Sequence, residues 1–430
     1  MANKIQLLRG NVLIINALSN YIAAGWLGIS NIILMPIYLK MLGPTQWGIV
    51  SLCIAVQAFM FLVDAGLAQI MPRDIAKEKN HKGLLSVFLT YNYLYIIIAF
   101  FVFIVGYIAL PYIISHWFNE GIIQKKDLYI ALKLLLIQFV FQLVNNSNLC
   151  YWYGIQKQHI ACARQIIFFS IKHFLALILI FYWDNTAVSY QLSFFVVTAI
   201  ECLLNRHAVM KDLKGKQDYR FVFNFTRITS LFKESGVLSF AILLGMFTTQ
   251  IDKILLSKQV TLENFGYYSI IAFLGAAFLQ LQYPLMRAFL PKLASEKQHS
   301  NLLGYVTMLK FILLFCVFPT ILAIIFADKI LLIWLHNEEI ASFGVGVLRL
   351  ILLATVINGF YNIIYQRIII FGDGRYILLI NATCLLLVFP VTYILSLKIG
   401  VLAGGVAWLL TAVIQLTLGL FWALKKSKKL

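Results

Sequence analysis

Runs of about twenty apolar residues, broken by short polar or turn-forming segments, recur along the chain from Val12 to Leu424. A helix of that length crosses the hydrocarbon core of a bilayer, so these runs are read as membrane spans. Twelve can be drawn, over residues 12–39, 47–71, 86–114, 128–150, 163–183, 187–208, 235–257, 265–290, 304–327, 342–365, 376–397 and 400–424. Composition leads to the same place: 61% of the 430 residues are apolar and 12% are charged, against about 45–50% and 25% in soluble chains. So little charge cannot cover a water-facing surface of this size, and the exterior must face lipid. The first run is longer than the apolar core of a secretory signal and shows no convincing small-residue cleavage site, so it is read as a retained span.

The net charge of +18 could suggest nucleic acid, but the basic residues sit in short clusters between spans rather than along one amphipathic face. Topology accounts for them. With an even number of spans both termini share one side, and Lys and Arg concentrate in alternate connections, from Arg73, Lys77, Lys79 and Lys82 to Lys425, Lys426, Lys428 and Lys429. The positive-inside rule then places both termini in the cytoplasm. The longest inner connection, about 205–233, is rich in Lys and Arg and reads as a linker between two halves; an orientation signal explains it more simply than docking of a partner or anionic lipid. All six cysteines lie in or beside apolar runs without close Cys-x-x-Cys spacing, which leaves no thiol-based metal or redox motif.

The chain also repeats itself. Leu42-Gly43-Pro44-Thr45-Gln46-Trp47-Gly48-Ile49-Val50-Ser51 returns 218 residues later as Val260-Thr261-Leu262-Glu263-Asn264-Phe265-Gly266-Tyr267-Tyr268-Ser269, with Gly48 and Ser51 matched by Gly266 and Ser269. An aromatic-Gly pair opens spans two and eight, and each ends in a Pro-basic pair, Pro72-Arg73 and Pro291-Lys292. A six-span unit keeps its orientation on duplication, which gives two parallel halves enclosing a cavity, as in some secondary transporters. The expected fold is an all-α polytopic membrane protein: an N-terminal six-helix bundle over 1–208, a basic cytoplasmic linker over 209–233 and a C-terminal six-helix bundle over 234–430.

The run Tyr38-Leu39-Lys40-Met41-Leu42-Gly43-Pro44-Thr45-Gln46-Trp47-Gly48, then Leu62-Val63-Asp64-Ala65-Gly66-Leu67 and Pro72-Arg73-Asp74-Ile75-Ala76, resembles O-antigen and polysaccharide lipid flippases. So does Gln250-Ile251-Asp252-Lys253 with Asn264-Phe265-Gly266-Tyr267-Tyr268-Ser269. The resemblance covers nearly the whole chain in layout and places it in the multidrug/oligosaccharidyl-lipid/polysaccharide exporter superfamily. It implies two six-helix bundles around a central cavity in a bacterial inner membrane. It also implies movement of an undecaprenyl-diphosphate-linked oligosaccharide to the outer leaflet by alternating access, with no cofactor and no covalent chemistry, and it leaves open a contact with a polysaccharide polymerase or ligase.

Ionisable residues inside spans are functional candidates, because a charge at the bilayer centre costs at least about 2.5–3.5 kcal/mol. Lys172, beside His173, lies near the middle of span five and either offers a cation to a diphosphate or pairs with Glu201 of span six. Arg349, Lys133 and Lys310 sit several residues inside spans ten, four and nine, and Arg287 lies near the end of span eight; each is either a snorkelling anchor or part of a basic cavity lining. Asp64 of span two suits ion or proton coupling, or else neutralises a basic neighbour. Asp252 and Lys253, near the outer end of span seven, are read as a water-reaching pair suited to a gate. Gln138, Gln142 and Asn145 share one face of span four, where amides serve either sugar hydroxyls or interhelical packing.

Other features have plainer readings. Trp117, Tyr151, Trp152, Trp183 and Trp334 read as interfacial belts, Gly372-Asp373-Gly374-Arg375 as an inner turn, and Gly400-x-x-x-Gly404 as a close helix contact. Two rivals stand beside the flippase reading. A multidrug antiporter of the same architecture would favour acidic or apolar walls over a basic set. A membrane glycan polymerase or glycosyltransferase would need a substantial catalytic loop, whereas the longest outer connections, around 115–127 and 328–341, are short.

Overall fold

The computed structural model describes residues 2–64, 67–78, 80–117, 122–213, 236–295 and 302–427, with a few helix side chains, that of Arg287 among them, outside the described set. Among these residues the structure is helical and contains no strand. The first compact unit spans Met1–Ser235 and the second Gly236–Leu430.

In the first unit α1 (Ala2–Met60) is followed by a 3-10 turn at Phe61–Val63, α2 (Leu67–Lys77), α3 (His81–Trp117), α4 (Ile122–Gly154), α5 (Gln158–Tyr182) and α6 (Ala187–Leu213). The second unit holds α7 (Gly236–Thr248), α8 (Ile251–Gln259), α9 (Leu262–Gln280), α10 (Gln282–Ser295), α11 (Leu302–Ile312), a π turn at Leu313–Val317 and α12 (Phe318–Ile325). It continues through α13 (Ala327–Leu335), α14 (Glu338–Ile370), α15 (Gly374–Ile399) and α16 (Leu402–Ser427).

Ten helical stretches of the described residues are long and apolar enough to cross a membrane. The sequence reading has twelve, and the difference lies in how helices are broken. Leu18–Met60 counts as one stretch of 43 residues, about 65 Å at 1.5 Å per residue and twice the roughly 30 Å core. Gly43, with φ 76° and ψ 166°, interrupts it and divides it into two crossings. That conformation is open to glycine alone at little cost. The expected span 235–257 is likewise split at Thr249-Gln250 into α7 and α8, each too short to register by itself.

The apolar surface is inverted relative to a soluble protein. Along α3, Ile97, Phe101, Ile104 and Ile108 are exposed while Phe88, Tyr91, Tyr95 and Ala99 are buried, which is how a helix packed on one side and facing acyl chains on the other must divide its residues. The core of the first unit gathers Phe88, Tyr91, Tyr95, Phe139, Tyr151 and Trp152 from α3 and α4. Tyr151 and Trp152 are therefore core residues rather than belt residues, whereas Trp183 is exposed as a belt residue should be. Helix α6 runs to Leu213, with Val209 and Leu213 buried, so it extends into the expected linker. The rest of that linker lies outside the described residues.

Candidate functional site

Span two and span eight are broken at the same point of the repeat. In the first unit α-helix stops at Met60, passes through the 3-10 turn and Asp64, and resumes at Leu67. In the second, α9 ends at Gln280 and α10 begins at Gln282. At both breaks polar side chains from neighbouring helices converge. Asp64 accepts from Asn146 Nδ2 of α4 at 2.6 Å and from the Tyr95 hydroxyl of α3 at 2.5 Å. Its repeat partner Gln282 accepts from Asn362 Nδ2 of α14 at 2.5 Å and donates its own Nε2 to the Thr355 carbonyl at 2.9 Å. Asn146 and Asn362 both sit on the fourth span of their half, so the two contacts are copies of one design.

Nearer the middle of the first unit the expected cation has an anion. Lys172 Nζ on α5 lies 2.7 Å from Glu201 Oε2 on α6, with side chains 15% and 6% exposed. Glu201 Oε1 accepts from Asn145 Nδ2 at 3.0 Å, Asn145 Oδ1 accepts from Asn205 at 2.8 Å, and Asn205 Oδ1 accepts from Arg164 at 2.5 Å. A buried pair persists only when further hydrogen bonds compensate lost hydration, and this chain of amides supplies them. His173 is turned away from that pair. It is buried, its Nδ1 is 2.9 Å from the Tyr38 hydroxyl, and Phe169 and Phe194 close around the ring. His173, a substrate-contact candidate of the sequence reading with Lys172, thus faces an aromatic pocket rather than the Lys172–Glu201 pair.

The amide face of α4 is occupied by other helices. Gln57 of α1 donates to Gln142, Gln191 of α6 donates to Gln138, and Gln138 is 3.4 Å from Gln142. Together with Asn145 this makes a seam that pins α1 and α6 to α4. Lys133, a little over one turn nearer the N-terminal end of α4, is apart from it; its ammonium lies 4.5 Å from the centre of the Tyr129 ring and 5.2 Å from that of Tyr107.

In the second unit Asp252 does not reach water. It is 2% exposed and accepts from the Tyr268 hydroxyl and from Trp408 Nε1, the latter at 3.0 Å. Lys253 is half-buried and donates to the Gln250 side-chain Oε1 at 3.1 Å, so the two neighbours do not act as one exposed pair. The correction has a helical cause: adjacent residues point about 100° apart, and only one can face the core. Arg349 is exposed and donates from Nε to the Ile324 carbonyl at 3.3 Å, and Lys310 is exposed on α11. The side chain of Arg287, on α10, lies outside the described residues.

The sequence reading passed over Tyr95, Asn205, Arg164, Tyr268, Trp408, Gln282 and Asn362. Gln282 had a visible signal, since carrying Asp64 forward by the 218-residue repeat lands on it; Asn362 had none, because the same step from Asn146 lands on Ile364. The others are ordinary span residues until packing brings them to a charge. Among the described residues no cluster of His, Cys, Asp and Glu could hold a metal ion.

A family described as polysaccharide biosynthesis protein matches residues 13–295, and one described as MatE matches residues 296–394. The chain is 21% identical over 378 residues to a putative O-antigen transporter of Shigella flexneri, covering 87% of this chain and 88% of that one. A structure of the lipid II flippase MurJ in an inward closed conformation superposes with a TM-score of 0.75 at 13% identity, over 95% of this chain and 87% of that one. An inward-facing multidrug resistance transporter of the MATE family superposes with a TM-score of 0.65 at 15% identity, over 93% and 98% of the two chains. Those likenesses establish a shared fold and a multi-pass membrane protein. The chain belongs to the polysaccharide biosynthesis protein family.

Proposed function

We propose that this protein flips an undecaprenyl-diphosphate-linked oligosaccharide, an O-antigen unit or a related surface-polysaccharide repeat, across the bacterial inner membrane by exposing one binding site to each side in turn. The supporting observation is a membrane-embedded set of polar groups, Lys172, Glu201, Asn145, Asn205 and Arg164, held among apolar helices. Keeping such groups in a membrane interior is costly, and transport pathways are where they are retained. The similarity to a putative O-antigen transporter supports this substrate class.

In this mechanism exposed cations such as Arg349 and Lys310 meet the diphosphate, polar side chains tolerate the sugars, and the polyprenyl tail stays in lipid. The protein holds and reorients; it makes and breaks no covalent bond. Both termini face the cytoplasm in this reading. Export of lipid-linked glycan to the outer leaflet in a host lacking its own flippase tests the assignment. Restored export supports it, and absence of export with every glycan supplied, together with efflux of cationic drugs, would replace it with the antiporter reading that the multidrug transporter fold also fits.

A further inference from the structure

The two halves are copies, and they differ in charge at one matched position. Asp64 and Gln282 sit at the same break, each nearly fully buried, and each accepts a hydrogen bond from the fourth-span asparagine of its own half. Gln282 shows what the fold needs there, namely a side-chain oxygen aimed at that asparagine. An amide meets the need without charge. An ionised carboxylate in the same place meets it at a desolvation cost of several kcal/mol, so geometry alone does not explain an acid at Asp64.

The surroundings differ in the same sense. In the first half Tyr95 of α3 points its hydroxyl at the carboxylate. In the second half the third span brings Ile312 near Gln282: a Cβ built on Gly359 would lie 3.3 Å from Ile312 Cγ2 and 3.7 Å from Gln282 Nε2. The groups facing Asp64 are Tyr95 from α3 and Asn146 and Cys150 from α4. Gln57, on the last turns of α1, is neutral, and Asp74 farther along α2 is engaged with Tyr91 and Lys77. Among the described residues no Lys, Arg or His forms an ion pair with Asp64.

We infer that Asp64 is a proton-uptake site carried by the first half alone, with Gln282 preserving the same hydrogen-bonded break as a form that cannot titrate. A proton fits better than a metal cation because a sodium ion would need several oxygens, whereas the carboxylate is faced by a phenol, an amide nitrogen and a thiol. Protonation neutralises the carboxylate and weakens its hold on both donors, at a place where the helix is already interrupted. Coupling of that event to glycan movement rests on the flippase reading; the proton site does not.

The test uses the purified full-length protein in lipid nanodiscs and reads the C=O band of a protonated carboxylic acid by infrared difference spectroscopy from acid to alkaline pH. Wild type should show a band that is lost as pH rises, Asp64→Asn should lack it, and Asp64→Glu should keep it at a displaced frequency. Asp252→Asn should leave it unchanged, and replacing sodium by choline should not move its titration. A wild-type spectrum with no titrating acid band overturns the inference whether or not any variant folds, and so does a band that survives Asp64→Asn. A band that behaves as expected in a protein that exports no glycan would keep the proton site and remove the flippase reading.

Discussion

The Lys172 ammonium on α5 lies 2.7 Å from the Glu201 carboxylate on α6, and both side chains are largely shut off from solvent. The pair explains how a lysine can stand in the middle of an apolar span, and it changes what a mutation there reports. Removing one partner leaves the other as an uncompensated buried charge, which costs about 3–5 kcal/mol. Lys172→Ala should therefore lower membrane abundance and unfolding temperature before any effect on transport can be read. The double substitution Lys172→Met with Glu201→Gln should recover most of both, measured by immunoblot and by thermal unfolding in detergent. Wild-type abundance in the single mutant would mean that the pair contributes no net stability.

Arg349 is the cleaner functional probe. Its side chain is exposed and its recorded bond is to the Ile324 carbonyl at 3.3 Å, so truncation strands no buried charge. Arg349→Ala should leave abundance unchanged and reduce glycan export about tenfold, the loss of one charge-assisted hydrogen bond to a diphosphate. Unchanged export at matched abundance would take Arg349 out of the substrate path.

Gly43 divides α1 in a backbone conformation that side chains avoid, while nothing lies within 4 Å of where its Cβ would be. The cost of Gly43→Ala should come from the backbone alone, about 1–3 kcal/mol. Thermal unfolding would register it. An unchanged midpoint would show that the chain can turn there by another route.

Gly404 lets α16 approach α9 so closely that a Cβ would overlap the Tyr268 ring, whose hydroxyl donates to Asp252. Gly404→Val should push Tyr268 away, leave the buried Asp252 short of a donor and lower abundance well below that of Gly346→Val. Gly346 makes the comparison fair, since its Cβ would meet only the end of the flexible Leu402 side chain, at 3.0 Å.

The turn after α14 carries a pH-sensitive latch. Asp373 accepts from Trp422 Nε1 at 2.9 Å and from Lys426 Nζ at 3.0 Å. Burial alone would raise its pKa, but the hydrogen bonds from Lys426 and Trp422 and the charge of Lys426 outweigh it and hold the carboxyl below its ordinary value of 3.8. A depressed carboxylate stabilises the fold above its ordinary range and loses that contribution as pH falls through the lowered value. Because both side chains are about a third exposed, at 34% and 33%, screening leaves less than about 1 kcal/mol. Asp373→Asn should flatten the acid limb of the stability profile slightly, and an identical profile would mean the latch is silent.

Much of the architecture is written locally. Apolar runs long enough to cross a bilayer fix helix and membrane together, because no other structure satisfies the backbone in lipid. Lys and Arg asymmetry suggests orientation, and the Trp47-Gly48 and Phe265-Gly266 pairs mark the duplication. Each of those signals is a property of a short segment. The breaks were not legible: Pro36, Pro44, Pro72, Pro111 and Pro390 lie inside helices, whereas Gly43 interrupts one.

What tertiary structure decided was which polar groups meet. Sequence could place Lys172 in a span but left it between a ligand and Glu201, since the choice depends on how α5 and α6 are rotated about their axes. It could place Asp252 beside Lys253, but not that Tyr268 and Trp408, the latter 156 residues away, would enclose the acid. It held both Asp64 and Gln282 in plain view, 218 residues apart, but not that Asn146 and Asn362 would donate to them. Hydropathy sums over a segment and can be read in one dimension; a hydrogen bond between helices depends on rotation, depth and neighbour, which only packing sets.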